Sequence, residues 1–279
     1  MDVSKVDRQY TFQGLELEVH RYPGVRVVRV IHPGPQAIAE HSHDWAYIGL
    51  HTVGRYTEEF DGGEAEMAGP SAVFHPPGRP HSDEVGNEGL ETLTIEFDRT
   101  WLRGQGYDRR LDRSFLWRGG AVGRAARRLA DIVRRPRSEA ALGAATTQFL
   151  HFALRAEEVP TPSWLGHIDH AIRSDAVAPT RQLARRLDLN VDYLARAYRA
   201  ATGEGMHETA RRRRVERAML LLRRTDMGLA DVALTSGFCD QSHMNRCFRA
   251  VLGRTPVAVR AEAAAYQQGP AALKSWLAT

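Results

Sequence analysis

A pattern that recurs about fifty residues apart constrains this chain more than anything else in it. Ala184, in Leu183-Ala184-Arg185-Arg186-Leu187, is matched 49 residues later by Ala233, in Val232-Ala233-Leu234-Thr235-Ser236. Further on, Leu194 matches Met244, Arg196 matches Arg246, Tyr198 matches Phe248 and Gly203 matches Gly253, each at an offset of 50. The extra residue of the second copy falls at the turn Gly237 to Asp240. A fixed offset of this kind means that one supersecondary unit is built twice. Each copy has the layout of a helix-turn-helix. A short first helix carries a small residue where a second helix crosses closely. A turn follows, and Gly237 is available there for a positive φ. The second helix has apolar residues at i and i+4, Leu194 with Tyr198 and Met244 with Phe248, which face the core.

The positions between them face outward: Asp192, Tyr193 and Arg196 in the first copy, and Gln241, Ser242, His243, Asn245 and Arg246 in the second. Their chemistry suits base reading. Gln and Asn can bond adenine with two hydrogen bonds, Arg can bond guanine, and a good pair discriminates by ~1–3 kcal/mol. Ser242 and Arg199 suit phosphates better. Solvated polar faces would look similar one at a time. Two matched copies on a basic background favour DNA. Residues 1–100 hold 17 acidic and 8 basic side chains, whereas 101–279 hold 17 acidic and 30 basic. The second part is therefore the one that can meet a polyanion. A helix from about 209 to 224 joins the copies. Its length, ~24 Å, allows two reading helices about one DNA turn (~34 Å) apart.

The stretch Ala230 to Arg249, followed by Gly253-Arg254-Thr255-Pro256 and Arg260, resembles the signature of AraC/XylS-type transcription regulators. The resemblance spans roughly residues 163–260. It implies a seven-helix domain with two helix-turn-helix units, and it places Arg196 and the run Gln241 to Arg246 at DNA-contact positions. Two departures stand out. Met206 occupies a place where the first copy often has proline, as Pro256 does in the second. Asp192 puts a carboxylate on a base-facing position, where phosphate repels it and cytosine is its best partner.

Residues 10–100 carry a different texture. Val25 to Ile31, Ala46 to Val53 and Leu90 to Phe97 read as strands. Pro33-Gly34-Pro35, Asp61-Gly62-Gly63, Gly69-Pro70 and His75-Pro76-Pro77-Gly78 punctuate them as turns. Short strands at this spacing predict a small all-β barrel or sandwich. Residues 41–87 resemble the two motifs of a cupin barrel: His41-Ser42-His43 with Gly54, then Gly69 through Pro76-Pro77-Gly78, His81 and Asn87. The resemblance implies a divalent-ion site on His41, His43 and His81. Its usual carboxylate, four residues after His43, is here Tyr47. Three imidazoles can still hold zinc or a similar ion with water in the fourth place, and His75 and His51 are substitutes. The alternative is a pocket for a small organic effector lined by His43, Trp45, Tyr47 and His81.

From about Gly119, Ala121 to Arg135 and Glu139 to Ala156 read as helices, serving either as a dimer seam or as packing on their own barrel. Val159-Pro160-Thr161-Pro162-Ser163 reads as a stiff linker whose prolines stop a helix. The expected organisation is a cupin-like effector domain at 1–110, a helical linker or dimerisation region at 111–158, and an AraC-type all-α DNA-binding domain at 159–279. Pro179-Thr180 opens a helix of the last domain.

Composition excludes several classes. No apolar run approaches the ~18 residues that cross a bilayer. Met1 to Tyr10 lacks an apolar signal core, so a cytoplasmic protein is expected. Two cysteines, Cys239 and Cys247, are expected reduced and cannot make a zinc site alone. The basic part lacks the aromatic platform that RNA binding favours. The expected protein is a regulator, not an enzyme, with promoter DNA, a small-molecule effector, RNA polymerase and a second copy of itself as partners. The competing reading is a metal-dependent cupin enzyme or metal sensor with an appended DNA-binding module.

Overall fold

The computed structural model describes residues 14–32, 34–68, 71–107, 112–134, 138–155, 164, 165, 168 and 180–268. The linker Val159 to Ser163, the first ten residues, and Pro33 and Gly69-Pro70 of two expected turns lie outside the described residues, as does the tail after 268. The chain divides into two compact units: residues 1–68 with 73–116, and residues 69–72 with 117–279.

The first unit is built of β1 (Leu15–Tyr22), β2 (Val25–His32), β3 (Gln36–His41), β4 (Ala46–Phe60), β5 (Gly63–Ala68), β6 (Ser71–His75) and β7 (His81–Phe97), with helix α1 (Arg99–Gly104) and strand β8 (Phe115–Arg118) after them. The sheet order is β1-β2-β7-β4-β6-β8, with β3 on β7 and β5 on β4. This is the cupin-like all-β architecture that the strand-and-turn texture predicts. Two strands dominate it. At ~3.3 Å per residue, the 15 residues of β4 and the 17 of β7 are too long to run straight through a small domain. They bend together, and their pairing register slips between His51 and Val53 and again between Gly54 and Tyr56. Gly54 makes the bend possible. Its φ is +97°, and a Cβ there would stand 2.1 Å from the Gly89 carbonyl oxygen on β7. The slips also reverse which residues point inward. Tyr47 and His51 line the interior before the bend, and Tyr56 lines it after.

β2 is buried almost throughout, so it shows no alternation. Val27, Val28, Val30 and Ile31 join Ile48, Leu50, Ile95 and Phe97 in the core. Arg29 is buried among them and is held by Glu91 at 3.0 Å and Glu18 at 3.2 Å.

The second unit holds α2 (Gly120–Arg134), α3 (Glu139–Ala153), α4 (Thr180–Arg186), α5 (Val191–Thr202), α6 (Met206–Arg224), α7 (Leu229–Thr235), α8 (Gln241–Leu252) and α9 (Pro256–Gln267). Thr180 is the first helical residue of α4. The seventh helix implied for the DNA-binding domain would fall within 163–179. That stretch lies outside the described residues except for Trp164, Leu165 and Ile168, which pack on Leu194 and Tyr198. α6 begins three residues earlier than its sequence pattern predicts. Glu208 accepts the Gly205 N–H at 2.7 Å and so caps the earlier start. Among the described residues no helix is long and apolar enough to cross a membrane.

Candidate functional site

The duplicated segments fold as two matched helix pairs, α4–α5 and α7–α8. Ala184 and Ala233 are buried at the crossings, and Leu194, Tyr198, Met244 and Phe248 are all but sealed from solvent. The second helix of each pair has a side-chain cap. Asn190 Oδ1 accepts from the N–H groups of Asp192 and Tyr193 at 2.9 and 3.1 Å. Asp240 Oδ1 accepts from the His243 N–H at 2.6 Å. Both helices end on a glycine in the left-handed conformation, Gly203 and Gly253. The turn of each pair has a left-handed residue at the same repeat position, Asp188 with φ +53° and Gly237 with φ +84°, so the extra residue of the second copy falls after it, between Phe238 and Asp240.

Asp192, Tyr193, Arg196 and Arg199 are exposed on α5, and Gln241, Ser242 and Arg246 on α8. His243 and Asn245 are half-buried. Tyr193 is 49% exposed, high for a large apolar ring. Asp192 has a second role visible here: it lies in the first turn of α5, where a carboxylate complements the helix dipole. His243 also serves the turn, accepting from the Cys239 N–H through Nδ1 at 3.4 Å and meeting Phe238 edge to face. Arg199 lies 3.8 Å from Glu208 on α6. Cys239 is exposed and Cys247 buried, and neither is bridged.

Beneath these faces, buried ions pin the scaffold. In the first copy, Arg212 reaches Glu204 at 2.8 Å and Glu216 at 2.7 Å, and Thr209 carries a hydroxyl bridge from Tyr198 to Glu204. Burial works against the Arg212 charge, but the two carboxylates outweigh it and raise its pKa. In the second copy, Arg254 binds Glu262.

The first unit encloses a cavity of about 60 Å³. Its lining includes His32, His41, His43, Tyr47, His51, His81 and Asp83. Trp45 is not part of that lining; it lies in the bend before β4, where strand alternation does not extend. His41 and His81 are cross-strand partners on β3 and β7. The turn after Pro77 holds the first motif to the second, because the Gly78 N–H donates to the His43 carbonyl at 2.7 Å. The ligand atoms of His41, His43 and His81 lie within 4.8 Å of one another. A second trio, Glu58, His75 and His81, meets the same limit. Tyr47 OH and His81 Nε2 are 2.9 Å apart. Burial pushes the imidazoles of His43, His51, His75 and His81 down to about 3. It pushes the carboxyls of Glu58 and Asp83 up to about 8, and Asp83 is also raised by facing Glu58. His43, His51, His81 and Asp83 on the pocket wall are therefore neutral, and hold donors and acceptors ready without a fixed charge. Glu58 and Asp83 escape sequence reading. Their pairing across β4 and β7 joins residues 25 positions apart, on the far side of a register slip.

Residues 22–150 match an AraC-like ligand binding domain, and residues 183–262 match a helix-turn-helix domain. The regulatory protein SoxS of Salmonella typhimurium is 32% identical over 90 residues, which are 32% of this chain and 78% of that protein. The chain belongs to the AraC type of transcription regulators. It is a DNA-binding regulator with an N-terminal ligand-binding domain. A second relative, described as a probable bifunctional transcriptional activator/DNA repair enzyme AlkA of Mycobacterium tuberculosis, is 35% identical over 83 residues. That match covers 30% of this regulator and 17% of the relative. The solved structure of ToxT from Vibrio cholerae covers 85% of this regulator and 97% of its own chain at 13% identity, with a TM-score of 0.33. Tyr47 stands four residues after His43 in the ligand-binding domain of this regulator. That ring turns its hydroxyl toward His81.

Proposed function

We propose that the regulator reads promoter DNA with the outer faces of α5 and α8. The observation that carries this is the pair of equivalent helices, capped alike and both presenting an arginine at the same repeat position, Arg196 and Arg246. In this reading Asp192, Tyr193, Arg196 and Arg199 meet one major groove, and Gln241, Ser242, His243, Asn245 and Arg246 meet the next. A small effector enters the first unit against His43, Tyr47 and His81, with Trp45 at the approach, and favours one arrangement of the domains over another. The protein works in the cytoplasm and acts on RNA polymerase rather than as an enzyme. It pairs with a second copy through α2 and α3, where Phe152 is 42% exposed.

The test is binding-site selection from random duplexes with the full chain. Arg246→Ala should relax preference at one base position and cost about 1–3 kcal/mol there, roughly five- to 150-fold. An equal loss for all sequences would assign Arg246 to phosphate and remove α8 as a reader. Affinity should also fall steeply with salt as phosphates release counterions.

A second reading, favoured by the convergence of His41, His43 and His81, is a divalent ion such as zinc bound by those three, as in metal-dependent cupins. Metal analysis of the purified chain with His41→Ala and His81→Ala separates it from the organic effector. If both variants still regulate and neither differs in metal content, the ion reading fails.

A further inference from the structure

The geometry points to a closed divalent-metal site on Glu58, His75 and His81, set behind the wall of the effector cavity. The cavity is lined by Tyr47 and His81 but not by Glu58 or His75. His75 stacks on His81 with ring centroids 4.6 Å apart, and Tyr47 lies 5.0 Å from His75 on the other side. The trio therefore forms a second layer outward from the cavity and shares one histidine with it. All three side chains are sealed from solvent, at 1, 1 and 3% exposure.

Two features suit the trio to an ion. First, Glu58 Oε1 and His75 Nε2 stand 2.6 Å apart, close enough to share a proton, and neither atom has another hydrogen-bond partner. Two sealed atoms that hold one proton between them, with His81 beside them, can exchange that proton for an ion. Second, each ligand is held from behind, as metal ligands usually are. His75 Nδ1 meets Ser114 Oγ at 3.2 Å, His81 Nδ1 meets the Arg79 carbonyl at 3.3 Å, and Glu58 Oε2 accepts from Tyr56 OH at 2.9 Å. The first two contacts occupy Nδ1 and leave Nε2 to face Glu58 in His75 and Tyr47 in His81. Two imidazoles and one carboxylate suit a borderline divalent ion of the zinc or ferrous kind. The Tyr47 hydroxyl, at 2.9 Å from His81 Nε2, is placed to yield that atom and stay beside the ion. The closed surroundings fit a structural rather than a catalytic ion.

This site differs from the His41, His43 and His81 arrangement in every ligand but His81, so variants tell the two apart. The full chain is stripped with a chelator and titrated with Zn²⁺, and with Co²⁺ as a visible reporter, in the absence of DNA. One ion should bind per chain. Glu58→Gln and His75→Gln should each weaken Zn²⁺ binding at least tenfold, and Ser114→Ala, which frees His75, on the order of tenfold. His41→Ala should change it less than threefold. Thermal melts of the metal-free variants show that each is folded, and Ser114→Ala serves if a ligand variant is not. If the unaltered chain binds no Zn²⁺, or if His41→Ala removes binding while Glu58→Gln keeps it, the site is overturned. Because no DNA is present, either result stands apart from the regulator reading.

Discussion

The helical unit and the cavity of the β unit bury polar groups in opposite ways, although the β unit also holds a charged pair of the helical unit's kind, Arg29 with Glu91. In the helical unit the buried groups are charged and paired. Arg212 lies between Glu204 and Glu216, and Arg254 is bound to Glu262. In the β unit the cluster of Glu58, Asp83, His43, His51, His75 and His81 is held neutral by burial. A paired ion is satisfied and has nothing further to bind. A neutral cluster in a low-dielectric site is poised to gain a partner, because an ion or a polar ligand supplies what burial has removed. The contrast separates scaffold from receptor without reference to any relative.

The largest effect should come from breaking the paired side. Arg212→Ala strands two buried carboxylates, and removing one partner of such a pair costs about 3–5 kcal/mol. The lower end is expected, because Glu204 keeps Arg127 at 3.0 Å and Glu216 keeps Arg213 at 3.1 Å. Urea unfolding of the full chain measures it. A loss below 1 kcal/mol would mean that these ions do not hold the helical scaffold together.

The neutral side should show itself through pH. The four imidazoles bind protons more weakly folded than unfolded, so their contribution is lost as pH falls from about 6.5 toward 3. The two carboxyls bind protons more tightly folded, so theirs is lost as pH rises from about 4.5 toward 8. Four groups oppose two, and the slopes cancel near pH 6.5. In chelator, thermal stability of the β unit should peak near there and fall on both sides. Arg212 keeps its charge throughout, so the helical unit should lack that peak. A β-unit transition that rises steadily from pH 5 to 8 would show that the carboxyls are ionised and the cluster is charged.

The sequence is a good guide to the helical unit and a partial one to the β unit. Duplication, helix ends and outward faces are encoded within a few residues of one another. Leu194 predicts Tyr198 one turn away, and the glycine at position 237 predicts the positive φ found there. The strand and turn texture predicts the cupin-like unit, and the His41, His43 and His81 motif brings together residues that do lie side by side. What the sequence hides is nonlocal. Alternation on β4 runs correctly from Tyr47 to His51, but the bend at Gly54 reverses its parity. No local pattern then announces that Tyr56 and Glu58 point inward. Nor does the sequence show that Glu91 neutralises Arg29 from 62 residues away.

The duplication itself holds a smaller asymmetry. The buried ion pair recurs at the same repeat positions with its polarity reversed: Glu204 to Arg212 in the first copy, Arg254 to Glu262 in the second. Polarity inside the pair is therefore interchangeable, whereas its surroundings are not. The first copy is also gripped from α2. Arg127 donates to the Gly203 carbonyl at 3.3 Å and lies 3.6 Å from Glu208, and Arg124 donates to the Arg199 carbonyl at 3.2 Å. Arg127 is about a quarter exposed, so solvent screens it and Arg127→Ala should cost at most about 1 kcal/mol of stability. The informative readout is local. α5 should loosen at its C-terminal end, with faster amide exchange over residues 199–203, while the matching residues 249–253 of α8 are unchanged. Equal exchange at both ends would mean that α2 does not distinguish the copies. Glu204 retains Arg212 in either case, so a change confined to α5 isolates the grip of α2 from the pair it reinforces.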